Sequence, residues 1–153
     1  MAVASNNPPL LEVRNLRVEF PTRRGTLLAV DDVSFEIAPG EVLGVVGESG
    51  AGKSLTGNAI IGLLEPPGRI AGGEIRLEGR RIDNLPYEEM RKIRGHRIGA
   101  IFQDPLTSLN PLYSVGRQLV ETIQTHLPLS AAEARRRALD LLKEVGIPGA
   151  ESR

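Results

Sequence analysis

Apolar positions change their period twice along this chain. From Leu10 to Phe20, "LLEVRNLRVEF", the residues Leu11, Val13, Leu16, Val18 and Phe20 alternate imperfectly with polar ones, which predicts a half-buried strand bent at Asn15. "LLAVDDVSFEI", Leu27 to Ile37, repeats the pattern as a second, antiparallel strand, and Pro39-Gly40 predicts the turn that follows. Val42-Leu43-Gly44-Val45-Val46 is apolar without alternation and reads as a strand buried on both faces. "KSLTGNAIIGLL" from Lys53 then reads as a helix, "EPPGRIAGG" as a loop, and "EIRLEGRRI" as a hairpin turning at Glu78-Gly79. "PYEEMRKIRG" predicts a short helix with Pro86 near its start and Gly95 at its end, and "RIGAIFQD", Arg97 to Asp104, another buried strand. Thereafter the period becomes helical. One helix is predicted from about Ser114 with Val115, Leu119 and Ile123 on one face. A second opens on the capping box Ser130-Ala131-Ala132-Glu133, with Ala134, Ala138, Leu141, Leu142 and Val145 as its apolar stripe and Gly146 as its stop.

Between the unalternating strand and the first helix lies the most informative stretch. Gly47-Glu48-Ser49-Gly50-Ala51-Gly52-Lys53-Ser54 fits G-x-x-x-x-G-K-[ST], the phosphate-binding loop of nucleoside triphosphatases. Each position has a physical reason. The three glycines permit unusual backbone dihedrals and let main-chain N–H groups close around an anion. The unpaired N–H groups and dipole of the helix that follows favour negative charge at the same place. Lys53 is then expected to reach the β- and γ-phosphates, and the Ser54 hydroxyl to ligate Mg²⁺. Glu48 is compatible with that role if its carboxylate points outward while its N–H faces in.

Composition narrows the remaining chemistry. The 153 residues carry 19 basic and 19 acidic side chains and no cysteine, which excludes disulfides, thiol catalysis and cysteine metal sites. His96 and His126 are too far apart in sequence to suggest a metal site. Balanced charge, with three Phe, two Tyr and no Trp, offers neither a basic field nor a stacking platform for nucleic acid. Arg135-Arg136-Arg137 falls within an amphipathic pattern and reads as a solvated helix face. No apolar run approaches the length of a membrane span, and "MAVASNNPPLLEV" has neither the basic n-region nor the h-region of a signal peptide. Residues 1–9 are expected to be a disordered lead-in, 10–104 a nucleotide-binding core with an antiparallel β subdomain, and 105–153 part of a helical subdomain.

"AVDDVSFEIAPGEVLGVVGESGAGKS", "GGEIRLEGRRI" and "IGAIFQDPLTSLNPLYSVGRQLVETI" together resemble the ATP-binding subunits of ABC transporters, most closely those of peptide and nickel importers. The likeness runs over about residues 10 to 153. It implies an α/β fold, the P-loop NTPase core of an ABC ATPase, with ATP and Mg²⁺ as cofactors. Gln103 falls where that family carries its Q-loop glutamine, which implies a catalytic and metal-ligating role: an amide oxygen ligates Mg²⁺ or orients water without titrating. The implied partners are transmembrane permease subunits docking on the helical subdomain, a second ATP-binding subunit and, indirectly, an extracytoplasmic solute-binding protein. The implied location is the cytoplasmic face of the membrane.

Two departures qualify the resemblance. The loop "PTRRGTLL" lacks the family's usual adenine-stacking aromatic, leaving Phe20, equally a core residue, and the Arg24 guanidinium as candidates. The sequence also contains no Walker B strand, no LSGGQ-type signature and no switch histidine, so the expectation is an N-terminal portion, truncated before those motifs, that binds nucleotide without turning it over. Two other readings stay open: an ABC-type ATPase of DNA repair or translation, and a non-catalytic nucleotide-binding module.

Overall fold

A strand with an odd residue inserted organises the first half of the molecule. The computed structural model of the chain describes residues 8–102 and 108–152. It forms two compact units, residues 1–91 and 92–153. In the first, β1 (Leu11–Thr22) pairs antiparallel with β2 (Gly25–Ile37) on one side and β3 (Arg69–Leu77) on the other, and β3 pairs with β4 (Arg80–Arg81). The sheet order is β2-β1-β3-β4.

Val13, Leu16 and Val18 are all buried in β1, which strict alternation forbids because residues 13 and 16 would face opposite sides. Asn15 resolves the conflict. At φ 48° it forms the bulge between Val13 and Leu16, and all three side chains reach the same core. Its backbone N–H donates to Ser34 Oγ at 2.7 Å, and its Nδ2 donates to Asp32 Oδ1 at 2.8 Å. Across β3, Gly73 at φ 84° accommodates the same irregularity: a Cβ there would stand 2.4 Å from the Arg14 carbonyl oxygen.

The predicted bend and antiparallel pairing are therefore present, and so is the hairpin turn, with Glu78 and Gly79 at φ 50° and 79°. Asp83 pins that hairpin. Its Oδ1 accepts the N–H of fully buried Ile75 at 2.8 Å while Arg81 grips the carboxylate. Burial pushes the Asp83 carboxyl up, but the hydrogen bonds from Arg81 and the Ile75 N–H outweigh it and hold the group below its ordinary value.

The short helix α1 (Lys53–Ile60) packs on β1, β2 and β3 through buried Ala59. It is followed by α2 (Tyr87–Ile93), with Pro86 before it and Gly95 at φ 77° beyond its end. In the second unit, α3 (Val115–His126) is capped by Ser114 and packs against α4 (Ala131–Glu144). The Ser130–Glu133 capping box is complete, and Ser130 draws the Glu133 carboxyl below its ordinary value. Ala134 and Ala138 are buried, whereas Val145 is 72% exposed and does not continue the predicted stripe: it lies beyond the helix, at the C-cap. A 3₁₀ turn, Ala150–Ser152, seats buried Ala150 against α4. Arg135, Arg136 and Arg137 are exposed, as a solvated face requires.

Three expectations need correction. Val42–Val46 is not a paired, buried strand: Val42 and Val46 are each 94% exposed, and no strand among the described residues pairs with them. Residues 99–102 of the predicted Arg97–Asp104 strand also lack regular structure, with Ile101 and Phe102 exposed, and the rest of that segment from Gln103 on lies outside the described residues. Both runs have the composition of central strands, but among the described residues neither 42–46 nor 99–102 has a strand beside it to complete its hydrogen bonds. Finally, "EPPGRIAGG" is not all loop, because β3 already begins at Arg69 and its Gly72-Gly73 pair lies within the strand, opposite the bulge of β1.

Candidate nucleotide-binding site

Lys53 begins α1 and folds back over the loop that precedes it. Its Nζ donates to the carbonyl oxygens of Gly47 and Glu48, each at 2.7 Å. The ammonium is thereby held inside the curve of the loop rather than extended into solvent. At the other end, Ala51 N–H donates to the Glu48 carbonyl at 3.2 Å, closing a turn over residues 48–51.

Gly52 anchors this curve to the sheet. It is the N-cap of α1 at φ 81°, and a Cβ there would meet the Ala29 carbonyl oxygen at 2.9 Å and Val30 Cγ2 at 3.1 Å. Only glycine satisfies both the dihedral and the closeness to β2. Thr56 N–H and Thr56 Oγ1 both donate to the Gly52 carbonyl, at 2.8 and 3.0 Å, fixing the first turn. Because a glycine N-cap supplies no side-chain oxygen, no side chain caps the first-turn N–H groups.

The residues fit a phosphate group by three independent features. Gly50, at φ 85°, has open space where a Cβ would stand. The N-terminus of α1 lacks a side-chain cap and carries no acidic residue in its first turn. Ser54 is exposed at that terminus, and Glu48 and Ser49 are exposed on the loop, so the Glu48 carboxylate is accommodated. Gly47, Glu48, Ser49, Gly50, Ala51, Gly52, Lys53 and Ser54 are thus brought together by a single turn between residues 47 and 54.

The other sequence candidates fare differently. Gln103 lies outside the described residues. The Phe20 ring lies against Gly68, where a Cβ would come within 2.6 Å of its Cε1, so the ring is engaged in packing. Arg24 sits exposed in the β1–β2 turn. The His126 ring covers Gly95, 2.4 Å from where its Cβ would be. Among the described residues no group of three His, Asp or Glu side chains is arranged to hold a metal ion, and no helix is long and apolar enough to cross a membrane.

The sequence of residues 30–153 matches the family described as ABC transporter. This chain belongs to that family. It is 45% identical over 153 residues to an ATP-binding protein of Brucella abortus (strain 2308) named for peptide import, covering all of this chain and 46% of that protein. It is 49% identical over 144 residues to the oligopeptide transport ATP-binding protein OppD of Escherichia coli (strain K12), covering 94% of this chain and 42% of OppD. The chain therefore spans less than half the length of these curated relatives. Among solved structures, the ATP-binding cassette MJ0796, described as a dimer in a post-hydrolysis state bound to ADP and Pi, superimposes with a TM-score of 0.75 at 27% identity, covering 87% of this chain and 56% of that one. The fold is thus α/β, that of the ABC ATPases.

The loop was legible from sequence alone. What sequence reasoning missed is the seat of Gly52 on Ala29 and Val30, which needed the register of β2.

Proposed function

We propose that this chain is the nucleotide-binding part of an ATPase subunit that drives import of a peptide, nickel or a related solute through a membrane transporter. The observation that carries the nucleotide reading is the Lys53 ammonium held on the Gly47 and Glu48 carbonyls at the N-terminus of α1, which no side chain caps. Residues 47–52 would hold phosphates through their N–H groups, Lys53 would neutralise charge on the β- and γ-phosphates, and Ser54 with Gln103 would hold Mg²⁺. The bound metal supplies charge neutralisation for phosphoryl transfer. The import reading is supported by the names of the relatives, peptide import and oligopeptide transport. Dimerisation is supported by the dimeric MJ0796 cassette. The partners proposed are transmembrane permease subunits, a second ATP-binding subunit and, through the permease, a solute-binding protein, at the cytoplasmic face of the membrane.

Residues 1–153 carry no Walker B or signature sequence, and each roughly 4 kcal/mol of missing transition-state stabilisation lowers the rate about a thousandfold. The proposal for residues 1–153 alone is accordingly binding without turnover. Steady-state ATPase of purified 1–153, with Lys53→Ala as contamination control, tests it. Turnover near about 1 per second that vanishes in the variant would overturn it. Co-purification of the full-length subunit with hydrophobic permease subunits is expected, and its failure would favour an ABC ATPase acting outside a transporter.

A further inference from the structure

The residue that seats the glycine-rich loop is itself fixed inside the sheet. Val30 of β2 is buried and stands opposite Val18 of β1, which is fully buried and stands in turn opposite Ile70 of β3. Close-packed on strands that flank one another, Val30 has little freedom to shift. Its Cγ2 lies 3.1 Å from where a Cβ of Gly52 would stand, and the Ala29 carbonyl oxygen lies 2.9 Å from the same point. The Gly52 carbonyl is taken on its other side by Thr56, whose N–H and Oγ1 donate to it at 2.8 and 3.0 Å. Gly52 is thus wedged between β2 and the first turn of α1.

The helix is held at both ends. Ala59 is buried near its C-terminus, and Gly52 is its N-cap. The two are seven positions apart, about 10 Å along a helix axis. Removing both methyl groups of Val30 would leave Gly52 room to move by roughly 1 Å, which turns α1 by roughly 6° about Ala59. The first-turn N–H groups and the root of Lys53 ride on the end that moves. Hydrogen bonds to a phosphate weaken steeply with distance and angle, so that end must be placed to within about 0.5 Å.

We infer that Val30 is a positioning residue for phosphate binding: the branched shape of its side chain, more than its share of the core, sets the direction of the N–H groups at the start of α1. The inference rests on the nucleotide reading above and adds a determinant on β2, 17 positions before the loop begins at Gly47 and outside its motif. Val30 acts through Gly52, not on a phosphate.

The test uses the full-length subunit and three variants. Val30→Ala removes the branched shape. Val30→Thr keeps the shape but buries a hydroxyl, so it costs stability without opening a gap. Val13→Ala removes the same atoms from a buried residue of β1 whose partner, Phe35, lies five positions along β2 from Val30. Melting temperature, affinity for MgATP and for magnesium tripolyphosphate, and hydrogen exchange at the Thr56 amide without nucleotide are read, the affinities below every melting midpoint. All three variants are expected to melt lower than wild type. Only Val30→Ala is expected to bind MgATP and tripolyphosphate more weakly, both by the same roughly five- to tenfold, and to exchange the Thr56 amide roughly tenfold faster. Affinity losses that follow melting temperature across the three variants overturn the positioning role and leave Val30 an ordinary core residue. Unchanged affinity in Val30→Ala overturns it too, as does a loss for MgATP that tripolyphosphate does not share, since the effect then lies at the nucleoside. Wild type that binds neither probe overturns the nucleotide reading instead, an outcome that the Thr56 exchange keeps separate from the hold of Val30 on Gly52.

Discussion

Lys53 Nζ donates to the Gly47 carbonyl oxygen at 2.7 Å, so the cation that begins α1 closes the glycine-rich loop in front of it. A bound phosphate must share that ammonium with the backbone. Lys53→Ala is expected to weaken MgATP binding by roughly ten- to a hundredfold, the loss of a charged hydrogen bond of about 1.5–3 kcal/mol. AMP, which lacks the phosphates that Lys53 reaches, should bind almost unchanged. Titration calorimetry with both nucleotides checks this, and equal losses for the two would mean that the substitution had only opened the loop.

Gly50 and Gly52 share a left-handed backbone, at φ 85° and 81°, but only Gly52 is pressed against another strand. Alanine at either position meets the same dihedral strain. At Gly52 it also collides with the Ala29 carbonyl oxygen, 2.9 Å from the new Cβ. Gly52→Ala is therefore expected to lower stability by about 1–3 kcal/mol more than Gly50→Ala. Urea unfolding of the two variants side by side measures the difference.

Asp83 gives the fold a dependence on acid. Its side chain is 5% exposed, and its pKa is held below the ordinary 3.8 by Arg81 and by the Ile75 N–H, against the opposing effect of burial. A depressed folded pKa contributes stability that is full above the unfolded value of about 3.9 and is lost as pH falls through the folded value. Asp83→Asn keeps an oxygen for Ile75 but loses the ion pair. The stability gap between wild type and variant should be constant near neutrality and narrow below about pH 4, which denaturant midpoints measured across pH will show.

Gln103→Ala, in the full-length subunit within its transporter, is expected to lower transport-coupled hydrolysis far more than MgATP affinity. The motive is its place after "IGAIF" and before the helical residues. Parallel losses in rate and affinity would instead make Gln103 a binding contact.

Local rules were readable wherever they were self-contained. The capping box at Ser130 and Glu133 and the turn at Glu78-Gly79 each depend on residues close in sequence, and both are present, as is the bend at Asn15, although its partners Ser34 and Asp32 lie on the next strand. The curve between Gly47 and Lys53 belongs with them as a local shape, since Lys53 closes it on residues five and six positions earlier. Val42–Val46 shows the limit. An apolar run states which surroundings a segment suits, but not that neighbouring strands stand beside it, and among the described residues none do. Gly72-Gly73 failed in the opposite direction: two glycines look like a loop, yet Gly73, at φ 84° with room for no Cβ beside the Arg14 carbonyl, lets β3 follow the bulge of β1. Such cross-strand demands appear only once the register is known.

The seat of Gly52 on β2 bears on the order in which the site assembles during synthesis. All pairing of the antiparallel sheet lies within residues 11–81, so a chain emerging from its N-terminus can complete this frame early, through contacts of moderate sequence separation. Val42–Val46 gains no pairing from that event. The loop at 47–54 is consequently moored at its far end, through Gly52 on Ala29 and Val30, so the frame that fixes where its curve ends is complete within residues 11–81 and owes nothing to Val42–Val46.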